Sequence, residues 1–181
     1  MRDTSISACV YIWYPVDDNV GHASMYIGDP RTDRTDETHA TNYVSWWPKR
    51  ICGFFERVDV ARNSRLRYDI QAEQENPHVR YVLYGLDVWA MRNEWQVIRL
   101  NPAPHYQILR KNCSTVVLRV LKAGGALERL SLAKRVWFSN NLYVTPKNVA
   151  QVCNELRNRG LSEKKKGANC PEKALLDLGF R

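Results

Sequence analysis

The chain has 181 residues, 44% of them hydrophobic and 25% charged, with a formal net charge of +8. That length fits one domain with room for a sizeable core, and the composition is that of a globular protein rather than a disordered or fibrous one. No apolar run is long enough for a membrane-spanning helix, and the opening "MRDTSISACVYIWYPVDD" lacks the long apolar stretch and small-residue cleavage site of a secretory signal.

The first element in chain order is "ACVYIWYP", residues 8–15, rich in β-branched and aromatic residues and closed by Pro15; it reads as a strand. After the turn "DDNVG", residues 21–28 alternate, with His22, Ser24 and Tyr26 on one face and Ala23, Met25 and Ile27 on the other. The two segments form an expected hairpin. Residues 29–39 are polar and read as an exposed loop, and "TNYVSWWP", residues 41–48, reads as a third strand. Residues 49–78 are uneven and are expected to be loop or short helix covering one end of the sheet. "HVRYVLYGL", residues 78–86, is a fourth strand, and "LDVWAMRNEWQVIRL" follows with helical spacing of its apolar residues.

"NPAP" stops that helix, and "HYQIL", residues 105–109, reads as a fifth strand. A helix of about ten residues then begins near Cys113, with Val116, Val117, Val120 and Leu121 as its apolar stripe and glycines at its end. Residues 145–160 carry the clearest helix signals: Thr145 at the N-cap, Pro146 at the first position and Gly160 at the end. "SEKKKGANCPEK" reads as a polar, mobile stretch before a short C-terminal piece. The expected organisation is a single domain over 1–181, with a core at 8–125 and a helical extension at 126–181.

The positive charge suits an anionic partner, a phosphate-bearing cofactor or a membrane surface, against the plain alternative of a solvated basic surface. Nucleic acid is disfavoured, because no zinc-finger spacing, helix-turn-helix pattern or aromatic RNA-binding signature accompanies the charge. The five cysteines (Cys9, Cys52, Cys113, Cys153 and Cys170) are odd in number and scattered. They form neither a disulfide framework nor a metal site, and they fit a reducing, cytoplasmic compartment in which one thiol is catalytic.

Cys113 is the candidate nucleophile. A thiol at a helix N-terminus feels the partial positive charge of unpaired N–H groups, and Arg110 and Lys111 precede it. The competing reading is a half-buried structural cysteine. Four histidines are candidate bases: His22, His39, His78 and His105. His39 is expected to be solvated. His22 is preferred, because Gly21 permits close backbone approach and a strand fixes the ring. Asp29, Asp59, Asp69 and Asp87 are all candidates to orient the imidazole, with Asp29 suited to a turn, Asp87 to a helix cap, and Asp69 in a strand or extended entry. Of Trp46 and Trp47, one is expected to point inward and the other outward, walling a pocket, touching lipid or covering a loop.

"VGHASMYIG", "YVSWWP" and "HYQILRKNCSTVVLRVLKAGG", in that order, resemble the Rho-inactivation-domain family of bacterial toxins and effectors, which are lysine Nε-fatty acyltransferases. More broadly they are similar to the circularly permuted papain-like (NlpC/P60-like) thiol enzymes. The resemblance implies an α+β fold in which an antiparallel sheet packs against a helix with the catalytic cysteine at its N-terminus. It implies Cys113 as nucleophile, His22 as general base and Asp69 as the acidic third member, with Asn112, Ser114 and backbone N–H groups around the oxyanion. Trp46, Trp47 and Tyr26 become substrate-pocket candidates. No metal and no permanently bound cofactor is implied. Long-chain acyl-CoA would be the co-substrate and a protein lysine the acceptor, on a membrane-associated small GTPase, with an anionic membrane as a peripheral contact. The alternatives are a cysteine hydrolase (peptidase, amidase or deamidase) on the same scaffold and a non-catalytic binding module. Delivery into a host cell, or origin in a larger polyprotein or toxin, goes with the resemblance.

Overall fold

A computed structural model describes residues 5–16, 19–32, 36–141 and 143–172, the side chains of residues 36–38 excepted. The fold is α+β. In chain order the elements are β1 (Ile6–Trp13), β2 (His22–Ile27), α1 (Asp36–Asn42), β3 (Tyr43–Val44), β4 (Trp47–Pro48), β5 (Val60–Ala61), α2 (Leu66–Glu73), β6 (Val79–Tyr84), α3 (Val88–Arg99), α4 (Cys113–Ala123), α5 (Leu132–Asn140), α6 (Pro146–Asn158) and β7 (Ser162–Lys166). A single 3-10 turn, Leu127–Arg129, separates α4 from α5.

Five strands form one sheet in the order β3-β2-β1-β6-β7, with every neighbouring pair antiparallel. The β1–β2 hairpin runs in register from Ala8 opposite Ile27 to Trp13 opposite His22. Because side chains alternate, a strand residue's parity decides its face. Ala8, Val10, Ile12, Ala23, Met25 and Ile27 join the main core, to which α3, α4 and α6 contribute Met91, Trp95, Val116, Val117, Val120, Leu121, Val149, Val152 and Leu156. On the other face Cys9, Tyr11, Trp13, Tyr26 and Tyr43 form a second cluster, closed by Leu66 and Ile70 of α2. Both faces of β1 and β2 are therefore covered, which explains why all six β2 residues are buried, polar ones included.

The α4 stripe is buried as its spacing requires. Each of its four aliphatic side chains contributes about 1.5–3 kcal/mol on burial, enough to fix where the helix begins. Thr145 makes a full capping box with Asn148, and Pro146 opens α6.

The structure corrects the sequence reading in five places. Part of the expected exposed loop is α1. The expected third strand divides into β3, in the main sheet, and β4, in a separate two-stranded ribbon with β5. Asp69 lies on α2 rather than in an extended segment. "HYQIL" is not a sheet strand: Tyr106 makes a bridge to Val58, and Gln107 closes a tight turn on Lys111. The fifth strand comes instead from "SEKKK", whose backbone pairs with β6 while its side chains give no apolar alternation to read. The C-terminal piece after residue 172 lies outside the described residues.

Candidate active site

His22 is the first residue of β2 and Cys113 the first of α4, and the helix N-terminus reaches the end of the strand. Gly21 sets the approach. Its φ is +74°, and a Cβ there would lie 2.6 Å from the carbonyl oxygen of Trp13. Only glycine lets the chain enter β2 this close to β1. Asn112 caps α4: its Oδ1 accepts from the Thr115 N–H at 2.8 Å, and its Nδ2 donates to the carbonyls of Ile108 and Val144 at 2.7 and 2.9 Å. That amide is fully used in holding the turn, so Asn112 positions Cys113 and has no donor left for an oxyanion. Ser114 is buried, with Oγ 3.8 Å from Sγ of Cys113.

Asp69 comes from the opposite side of the sheet. It is 0% exposed and accepts four side-chain hydrogen bonds: from Tyr43 to Oδ2 at 2.5 Å, and to Oδ1 from Ser45 at 2.8 Å, Trp47 at 2.9 Å and Asn63 at 2.7 Å. Oδ2 also lies 3.5 Å from Nε2 of His22, an ion-pair distance. Nε2 makes no aligned hydrogen bond at that separation, so the contact is chiefly electrostatic. With Nε2 turned to Asp69, Nδ1 is left for the thiol. Trp47 stacks on the imidazole at 4.1 Å between centroids, and Trp13 packs obliquely at 5.6 Å.

These contacts set the charges. Burial opposes ionisation of Asp69, but the His22 charge and the hydrogen bonds outweigh it and hold the carboxyl well below the usual range. Burial likewise opposes protonation of His22. Cys113 and then Asp69 outweigh it and push the imidazole up to about 10. At Cys113 burial works against the thiolate, yet the His22 charge, a hydrogen bond to His22 and the Ala23 N–H pull the thiol below its ordinary value. Cys9, Cys52 and Cys153 shift the other way, each pushed up first by burial. The arrangement is a buried thiol–imidazole pair braced by a carboxylate, and the contacts favour the charged form of each group.

Of the aromatic candidates, Trp47 meets the site. Trp46 is buried in the main core, edge-on to Trp95 with Lys111 over its ring, and Tyr26 is buried against His39 at 4.6 Å. His39 is thus packed rather than solvated. His78 is buried elsewhere, its Nδ1 accepting the Tyr14 N–H and its Nε2 facing Glu75. Asp29 takes the turn role and Asp87 the cap role, while Asp59 pairs with Lys49 at the surface. Sequence reasoning missed Tyr43, Ser45 and Asn63, the donors around Asp69. It also missed Tyr106, a buried phenol near Cys113 that is held neutral first by burial and then by Cys113. Tyr43 and Ser45 alternate with Trp47 along one stretch, and all three donate to Asp69; Asn63 and Tyr106 come from separate segments with no spacing to mark them.

A thiol, an imidazole and a carboxylate converge here from a helix start, a strand start and a covering helix. An α+β protein that brings these three groups together, the histidine preceding the cysteine in the chain, has the geometry that a nucleophile, a base and an orienting carboxylate would need. The chain belongs to the IcsB middle-domain family, whose model matches it in two overlapping stretches, residues 2–78 and 56–174. It is also similar to the multifunctional-autoprocessing repeats-in-toxin of Vibrio cholerae serotype O1 and that of Vibrio vulnificus, 55% identical to each over 47 residues, 26% of this chain. The match spans about 1% of the length of those relatives. The chain is therefore related to a small part of much larger bacterial toxins. Among the described residues no helix is long and apolar enough to cross a membrane.

Proposed function

We propose that this chain is a toxin or effector module of permuted papain-like type that moves a long-chain acyl group from acyl-CoA to a protein lysine through an acyl-enzyme on Cys113. The observation that carries a thiol mechanism is the Cys113–His22–Asp69 line, in which Cys113 is pulled down while three other thiols are pushed up. The choice of acyl transfer over hydrolysis rests on the Rho-inactivation-domain resemblance, and the kinship to the repeats-in-toxin proteins supports the toxin or effector setting.

In this reading Sγ attacks the thioester carbonyl. The negative charge that develops on its oxygen is met by backbone N–H groups at the start of α4, with the nearby Tyr106 phenol as a further donor. The C–S bond to coenzyme A breaks, and its thiolate takes the proton held by His22. The lysine amine of the acceptor then attacks the acyl-enzyme, gives its proton to His22 and releases Cys113. Asp69 keeps the imidazole oriented and stabilises its charged form, and Trp47 clamps the ring from one face. The acceptor class is a lysine on a membrane-associated small GTPase. The chain's charge of +8 suits the coenzyme's phosphates.

Intact-mass spectrometry after incubation with palmitoyl-CoA tests the reading. The expected result is a gain of one acyl group in the wild type, released by hydroxylamine and absent in Cys113→Ala. No adduct at any acyl length, together with Cys113-dependent cleavage of peptide or amide substrates, would replace acyl transfer by hydrolysis.

A further inference from the structure

The second face of the sheet is only partly covered. α2 closes it over β1, β2 and β3, and a cavity of about 730 Å³ lies between that helix and the β6–β7 edge. Its floor is apolar: Tyr11 of β1 with Leu66 and Ile70 of α2. Its rim is cationic, from Arg80 of β6 and Lys165 and Lys166 at the end of β7, all three exposed. None of these cations has an ion-pair partner among the described residues. Among the described residues Glu75 is the only carboxylate on the wall. Both of its oxygens are engaged, Oε1 with Nε2 of His78 at 3.0 Å and Oε2 with Nδ2 of Asn169 at 2.9 Å.

Strand register makes this charge placement unusual. Tyr11 lies opposite Arg80, and Arg80 opposite Lys165, so a phenol and two cations form one row across three strands. Adjacent strands lie about 4.8 Å apart, and like charges directly opposite one another destabilise a sheet. An anion held between the two cations removes that repulsion. The walls are fixed by the protein's own contacts. α2 is anchored by the side-chain hydrogen bonds that Asp69 accepts. The segment before β6 is tied by Trp13, whose Nε1 donates to the Glu75 carbonyl at 3.0 Å, and by Asn169, which donates to the Asn76 carbonyl at 2.7 Å. Gly167 lets the turn after β7 sit this close. A Cβ there would lie 2.9 Å from the Pro77 carbonyl oxygen, and its N–H donates to the His78 carbonyl at 2.8 Å. A cavity with walls already in place loses little order on filling.

We infer that this cavity binds a nucleotide, with its phosphates on Arg80, Lys165 and Lys166 and its base on the floor of Tyr11, Leu66 and Ile70. The volume falls within the range of small-molecule sites. An apolar floor that includes an aromatic ring, joined to a cationic rim, suits a flat ring carrying phosphates. An inorganic anion would use the rim and leave the floor empty. A free nucleotide and the nucleotide end of coenzyme A share this chemistry. Binding here does not depend on what Cys113 attacks, because that residue heads α4, which packs on the other face of the sheet.

Isothermal titration calorimetry of the full chain carrying Cys113→Ala tests it, with ADP, coenzyme A and inorganic phosphate as probes at matched ionic strength. ADP or coenzyme A should bind saturably, at least about tenfold more tightly than inorganic phosphate, and the affinity should fall with added salt. R80Q and, separately, K165Q should each weaken binding about tenfold with unchanged far-ultraviolet circular dichroism, because both side chains are exposed. K122Q, which removes one exposed charge from the last turn of α4, should leave the affinity as it is. Tighter binding of ADP identifies a free nucleotide as the occupant, and tighter binding of coenzyme A identifies the coenzyme. No saturable heat from either nucleotide, inorganic phosphate binding as tightly as both, or K122Q weakening binding as much as K165Q would overturn the inference. So would nucleotide binding that R80Q and K165Q leave intact, which would place the ligand elsewhere. Failure of acyl transfer is read separately, from the wild-type mass shift with palmitoyl-CoA.

Discussion

Replacing Asp69 by Asn tests the charge logic of the site with the least change in shape. The amide can keep its oxygen where Oδ1 now accepts from Ser45, Trp47 and Asn63. Its NH2 then occupies the place of Oδ2, facing Tyr43 and His22. Tyr43 can adapt, since its hydroxyl also lies 2.9 Å from Ser24 Oγ and can turn to donate there while accepting from the amide. His22 cannot adapt without cost. An N–H pointing at Nε2 requires Nε2 to be unprotonated, which moves the proton to Nδ1, the nitrogen that must receive it from Cys113. The lost attraction, two unit charges at 3.5 Å, is about 5 kcal/mol at an effective dielectric constant of about 20. Solvent and side-chain relaxation return part of that, so the expected loss in rate is about a hundredfold to a thousandfold. The assay is the rate of Cys113 alkylation by iodoacetamide against pH, followed by peptide mass spectrometry, alongside the acyl adduct. In the variant the thiol should titrate closer to its ordinary value and the neutral-pH rate should fall. A folded Asp69→Asn protein with the wild-type alkylation profile and wild-type adduct formation would refute the reasoning.

In the wild type, Cys113 should alkylate at lower pH than Cys9, Cys52 and Cys153, and a tryptic map showing any of those three reacting first at neutral pH would contradict the site. The stability that His22 supplies is fully present below its unfolded value of 6.5 and is lost as pH rises through about 10. That of Asp69 is present above its unfolded value of 3.8 and is lost as pH falls below that value. His22→Gln should therefore flatten the alkaline limb of unfolding free energy against pH, measured by urea denaturation. Gly21→Ala forces a left-handed φ on alanine and sets its Cβ 2.6 Å from a carbonyl oxygen; it should cost about 1–3 kcal/mol in urea unfolding and slow Cys113 alkylation by displacing His22. Asn112→Ala removes a cap and leaves two carbonyls short of a donor, so a loss of about 2 kcal/mol or more is expected in the same measurement.

The local chemistry was legible in the sequence wherever one element carries its own signal. The hairpin alternation placed His22, the i, i+1, i+4, i+5 stripe placed the start of α4 at Cys113, and Thr145–Pro146 opened α6. Each depends on contacts within a few residues. What the sequence could not carry was anything whose reason lies across the sheet. "SEKKK" is a strand only because β6 offers an unpaired edge. Asp69 is helical and buried because α2 must close the second face over Tyr11 and Tyr43. Three of its four donors, Tyr43, Ser45 and Trp47, alternate along one stretch, but nothing in that alternation names the carboxylate they meet 26, 24 and 22 residues further on. The pairing of Cys113 with His22 has the same origin. α4 covers one face and α2 the other, and both reach the imidazole at the strand end. The sequence by itself determined which residues could ionise or attack. The tertiary structure decided which of them share a charge.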